Sequence, residues 1–114
     1  MSTKLDQHDE LIIEQLKDVD FAAAYLNEHL EYTGVGRRQH ILHAIHLISV
    51  AQGISKVAKK SGLKKRSLYK ALSEDGNPTF DTLLKLLETL HLKMSFSPSK
   101  KVRKKSNRPS AKAA

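Results

Sequence analysis

Between residues 64 and 73, Lys64, Lys65, Arg66, Tyr69, Lys70 and Ser73 supply a run of hydrogen-bond donors with no acid among them. This is the chemistry of non-covalent recognition. Ammonium and guanidinium groups bind phosphate oxygens, and the same groups held rigidly can donate to base edges. Leu68 and Leu72 lie one helical turn apart in the same stretch, so a helix here has one core face and one donor face.

The residues before this stretch supply the partner such a helix needs. Residues 53 to 73 divide into two short helices joined by a tight turn, with Val57 and Leu63 flanking the turn on the buried side. Ala58 falls where the two helices must approach closely. Gly62 suits the left-handed position that ends a helix, and Gly53 separates the pair from whatever precedes it. This is a helix-turn-helix pattern, which makes duplex DNA the leading ligand. The alternative is an ordinary amphipathic hairpin with a solvated basic face.

Charge is distributed in blocks. The 114 residues carry a net charge of +8, but residues 1 to 31 hold only Lys4 and Lys17 against Asp6, Asp9, Glu10, Glu14, Asp18, Asp20, Glu28 and Glu31. Residues 99 to 114 contain basic side chains and no acid. An acidic front, a basic motif and a basic tail imply different partners for different segments. The length is that of one domain, and the lack of cysteine excludes disulfides and thiolate metal sites. No apolar run approaches a membrane span and the first residues lack an apolar signal core, so the expected protein is soluble and cytoplasmic, nucleoid-associated when on DNA, with no membrane partner.

Apolar periodicity predicts the remaining elements. Leu5, Ile12 and Leu16, with Asp9 at the same near-helical spacing, define a helix over Lys4 to Lys17. Asp20 is the expected cap of a second helix bearing Phe21, Ala22, Tyr25, Leu26 and Leu30, broken by Thr33-Gly34-Val35-Gly36. Ile41, Leu42, Ile45, Ile48 and Ala51 form the core face of a long helix from Arg37. After the turn Glu74-Asp75-Gly76-Asn77-Pro78, Thr79 caps a last helix with Phe80, Leu83, Leu84, Leu87 and Leu90. Leu92 to Pro98 alternates apolar and polar residues and reads as a short strand, pairing with the same segment of a second copy. The organisation expected is thus an acidic helix or arm at 1–17, a helix-turn-helix domain at 18–98, and a disordered basic tail at 99–114. The tail is either a phosphate-binding arm or a solubilising extension.

Other residues invite a chemical reading and do not sustain it. His40, His43 and His46 recur every third residue, a spacing that drifts by about 60° per step, so at most two could share a metal. Surface or interface roles are expected for them. Tyr25, Tyr32 and Tyr69 are too dispersed for a stacking platform, and no nucleophile stands at a recognisable spacing from a base. No cofactor, metal or catalytic set is expected, and the protein is not read as an enzyme.

From Asp20 to Pro98 the chain resembles the addiction-module antidote proteins, HigA-like antitoxins of the lambda-repressor-like helix-turn-helix superfamily. The resemblance is carried by Ser-Lys-Val-Ala-Lys-Lys-Ser-Gly-Leu at 55–63, Leu-Tyr-Lys-Ala-Leu-Ser at 68–73, Gly-Asn-Pro-Thr-Phe at 76–80 and the closing Leu-Lys-Met-Ser-Phe. It implies an all-α bundle of about five helices that forms a homodimer, represses its own operon through operator DNA, and neutralises a RelE/HigB-like messenger-RNA-cleaving toxin. By position it implies base reading by Lys65, Arg66, Tyr69 and Lys70, with Ser55 and Lys56 near the DNA backbone. Lys64 departs from the Ser or Thr usual at that helix cap and adds positive charge at the positive end of the helix dipole. The acidic segment from residue 4 to 31 is the candidate toxin-binding element; the alternative is that it only packs on the bundle. A stand-alone prophage-type regulator without a toxin is the competing function.

Overall fold

The computed structural model describes residues 6 to 99. Within them the chain forms six helices: α1 (Gln7–Leu16), α2 (Val19–Leu30), α3 (Arg37–Gln52), α4 (Ile54–Ser61), α5 (Lys65–Ala71) and α6 (Phe80–Thr89). The described part is all-helical, and no single helix in it is long and apolar enough to cross a membrane. The tail expected to be disordered lies outside the described residues beyond Ser99.

The helix starts follow local hydrogen-bond chemistry. Asp6 caps α1 in a reciprocal box, its carboxylate accepting from the Asp9 N–H at 2.8 Å while the Asp9 carboxylate accepts from the Asp6 N–H at 3.4 Å. The cap of α2 is Asp18 rather than the expected Asp20. Asp18 holds the extended conformation of a cap, and its carboxylate accepts from the Asp20 N–H at 2.9 Å. Asp20 lies instead in the first turn, where an acid complements the helix dipole. Thr79 caps α6 as expected, accepting from the Thr82 N–H at 3.1 Å.

The centre of the molecule is α3. Leu42, Ala44, Ile45, Leu47, Ile48 and Ser49 are all buried, a wider face than the periodicity predicts, because α1, α2 and α4 all pack against this one helix. The buried Ser49 hydroxyl donates to the Ile45 carbonyl at 2.8 Å, so it adds no unsatisfied group. Leu16 from α1, Ala22 and Leu26 from α2, Val57 and Ala58 from α4, Leu68 and Leu72 around α5, and Leu86, Leu87 and Leu90 around α6 complete one core. The acidic first helix is therefore packed on α3 through Leu16, Ile12 and Ile13. Phe80, expected on the core stripe of α6, is exposed, since it opens the helix ahead of the Leu83, Leu86, Leu87 and Leu90 stripe.

Turns hold the motif in register. α3 and α4 meet at Gly53, whose φ of 100° allows a bend of 102° between them. Gly62 ends α4 at φ 82°, and the Leu63 N–H reaches back to the Ala58 carbonyl at 3.1 Å, closing a Schellman turn. After α5 the chain passes so close to itself at Gly76 that a Cβ there would lie 2.1 Å from the Ala71 carbonyl oxygen. Leu92 to Ser99 has no regular secondary structure in the single chain. A strand needs an edge to pair with, and the described residues offer none.

Candidate nucleic-acid interface

The two helices of the motif are α4 and α5, and their buried residues are those the spacing predicts. Val57, Ala58, Leu68 and Leu72 are buried, and Leu63 is half-buried at the turn. Lys64, Lys65, Arg66 and Lys70 are exposed, as are Ser55 and Lys56 at the start of α4. Among the described residues the acid–base side-chain contacts are Glu14–Lys17 and Asp9–His43, so none of these cations is neutralised by an acid there. Arg66 and Lys70 stand four residues apart and share a helix face, as do Lys65 and Tyr69. Lys64 occupies the cap of α5 without a side-chain hydrogen bond, which leaves the first N–H groups of that helix without a capping oxygen from that residue.

Two predicted site residues are placed differently. Tyr69 is half-buried, with its ring centroid 6.0 Å from that of His46, so it backs the basic face more than it joins it. Ser73 is half-buried and its hydroxyl donates to the Lys70 carbonyl at 2.9 Å, which commits that proton within the chain.

Behind Tyr69 lies a group of polar side chains that periodicity had divided between helices. His46 is 5% exposed, so of the surface or interface places expected for these histidines it takes an interior one between α3 and α5; burial, and then the nearby His43, hold its pKa below the usual histidine range against an opposing pull from Asp9. Asp9 is 7% exposed, and its carboxylate meets His43 Nε2 at 3.4 Å. Burial, followed by Asp9 and Glu28, raises the Tyr25 hydroxyl pKa. Further out, the His29 ring lies 4.2 Å from Tyr25 and 4.4 Å from His40, and His40 lies 4.4 Å from Tyr32 by ring centroids. Tyr25 and Tyr32 are thus linked through the rings of His29 and His40. His40 has a lowered pKa, from desolvation and then from His29 and His43. Among the described residues no three ligating side chains are grouped to hold a metal.

The sequence signal for this group was the presence of Asp9 on the apolar stripe of the first helix. What spacing along one helix could not supply was its partner, His43, which is 34 positions away. Between these elements opens a cleft of about 400 Å³, walled by α1, the loop before α3, α3 itself and the end of α5.

Comparison with known proteins extends this reading. An uncharacterised protein of Haemophilus influenzae is 38% identical over 96 residues, covering 76% of this chain and 96% of the relative. No solved structure matches. Residues 4 to 98 match the family model described as probable addiction module antidote protein, and with most of its length so matched the chain belongs to that family.

Proposed function

We propose that the chain is the DNA-binding antitoxin of a type II toxin–antitoxin module, repressing its own operon and neutralising a RelE/HigB-like ribonuclease. Family membership is that of a non-enzymatic regulator with a toxin partner in general. The observation that carries the DNA reading is the α4–α5 pair, whose apolar side is consumed by the core while Lys64, Lys65, Arg66 and Lys70 stay exposed and unpaired with acids among the described residues. Helix α5 is the recognition element, inserted in the major groove with Arg66 and Lys70 toward the bases and Ser55 and Lys56 toward the backbone. Titration of the full-length protein against its promoter DNA and against a scrambled duplex, at several salt concentrations, tests this. Equal affinity for both would reduce the basic face to a phosphate patch.

The toxin reading rests on the outward face of α1. Glu10, Leu11 and Glu14 are exposed there, and Leu11, at 67%, is an apolar anchor between carboxylates. A ribonuclease groove that attracts RNA is basic, and this face is its electrostatic complement. The dimer reading rests on Leu92 to Pro98, a segment without regular secondary structure in which Phe96 is 90% exposed. Pairing of that segment with a second copy satisfies its backbone and covers the ring. Co-purification of the untagged protein from its native operon identifies the toxin, and a monomer with no bound protein would favour the stand-alone regulator.

A further inference from the structure

The segment that follows α6 forms one wall of a groove. Leu92 and Met94 line it together with Leu30 of α2, Ile45 of α3, and Leu83 and Leu87 of α6, so its interior is largely aliphatic. Its volume is about 210 Å³. An apolar cavity of about 150 Å³ holds a benzene ring, so the space suits an aromatic side chain. Folding of the single chain leaves Leu30 and Met94 on its walls 43% and 40% exposed. Two residues beyond Met94, the Phe96 ring is 90% exposed and does not enter this groove. Among the described residues, one short segment thus carries an uncovered ring and walls an aliphatic groove of a ring's size.

We propose that the groove receives Phe96 of a second copy of this chain, and that each copy's Phe96 fills the other's groove. This docking rests on the pairing of Leu92 to Pro98 read above and names what the paired segment inserts into. In an antiparallel pair, residues directly opposite one another share a face, and successive residues alternate between faces. A two-fold axis perpendicular to the pair keeps equal residues of both copies on one face, so Phe96 of the second copy stands opposite an even-numbered residue. Those residues are Leu92, Met94, Phe96 and Pro98, all apolar, and the first two are groove walls. A register centred on Met94 sets the ring opposite Leu92, and one centred on Ser95 sets it opposite Met94. Lys93, Ser95 and Ser97 then fall on the other face. The contact is isologous, so it closes at two copies and buries both rings.

Sedimentation equilibrium of the full-length protein tests the assignment. The wild type is expected to dimerise, and Phe96→Ala to weaken the dimer by about a hundredfold or more, because both buried rings are lost. Phe96→Leu, which keeps an apolar side chain, should recover much of that affinity. The ring is exposed in the single chain, so folding is not at stake. Cross-linking reads the geometry directly, since the chain contains no cysteine and Asn27 lies exposed on the groove lining. Chains carrying Phe96→Cys, mixed under mild oxidation with chains carrying Asn27→Cys, should form the mixed disulfide in preference to either matched one. A dimer that Phe96→Ala leaves intact and that gives no mixed disulfide overturns the groove assignment, leaves the paired segment standing, and frees the groove for another protein. A disulfide closing within a single chain that carries both substitutions would show the ring filling its own groove, and also overturns it. A wild type that stays monomeric at every concentration fails the dimer reading itself and the groove assignment with it.

Discussion

Helix α1 and helix α5 carry opposite charge and use it in opposite ways. On α5 the cations remain in solvent and the core is made by Leu68 and the adjoining Leu72, so charge and packing are segregated. On α1 one of the acids, Asp9, is buried beside Leu16 and meets His43 of α3, while Glu10 and Glu14 remain outside. Equal densities of charge in a sequence therefore do not mean equal availability. A carboxylate on the apolar stripe is drawn inward when a polar partner across the interface offsets part of its desolvation.

The largest effect that separates the two helices is expected in the core of α5. Leu68 is fully buried, so Leu68→Ala should cost about 2 to 5 kcal/mol and lower the midpoint of chemical denaturation. Leu11→Ala on α1 serves as its counterpart. A comparable loss at Leu11 would mean that its exposed position is covered in solution.

Next in size is the buried acid. Asp9→Ala removes the side-chain half of the α1 capping box and the partner of His43, with an expected cost of about 1 to 3 kcal/mol. Losing nothing would place Asp9 in the solvated class with Glu10 and Glu14. The same region predicts a pH dependence. His46 has a folded pKa below its unfolded value of about 6.5, so as pH falls through that value the unfolded chain takes up a proton that the folded chain resists. Stability should therefore decline on acidification until the lower folded value is passed. Thermal unfolding across this range should show the decline in the wild type and a shallower one in His46→Gln.

On the basic side, Arg66→Ala should weaken operator binding by about 1 to 3 kcal/mol with less effect on random duplex, read by gel shift. Stability should hardly change, because the side chain is exposed. The smallest stability effect, within about 0.5 kcal/mol, is expected for Leu11→Ala. Its readout is loss of toxin neutralisation in cells. Full protection by that variant together with Glu10→Gln and Glu14→Gln would leave α1 as packing alone. These substitutions are preferable to truncation at Asp18, which would also remove the buried Leu16.

Much of the helical order was legible from residues alone. Apolar repeats of three and four, the glycines at 53 and 62 and the Thr79 cap are local devices, and each works through atoms within a few residues. Asp20 was misassigned as a cap because Asp18 and Asp20 are chemically equivalent candidates, and only the backbone at residue 18 separates them. Phe80 read as core because an apolar side chain at a helix start looks the same in sequence whether or not a neighbour covers it.

What the sequence by itself determined is the existence of the two short helices α4 and α5 and the segregation of their basic and apolar faces, since helical periodicity converts spacing directly into sides. Tertiary structure alone decided that His46 turns inward against Tyr69, that Asp9 finds His43, and that a basic chain encloses a cleft rimmed by carboxylates. The physical reason is that burial and pairing depend on contacts between elements far apart in the chain, and no local repeat encodes which helix will arrive to make them.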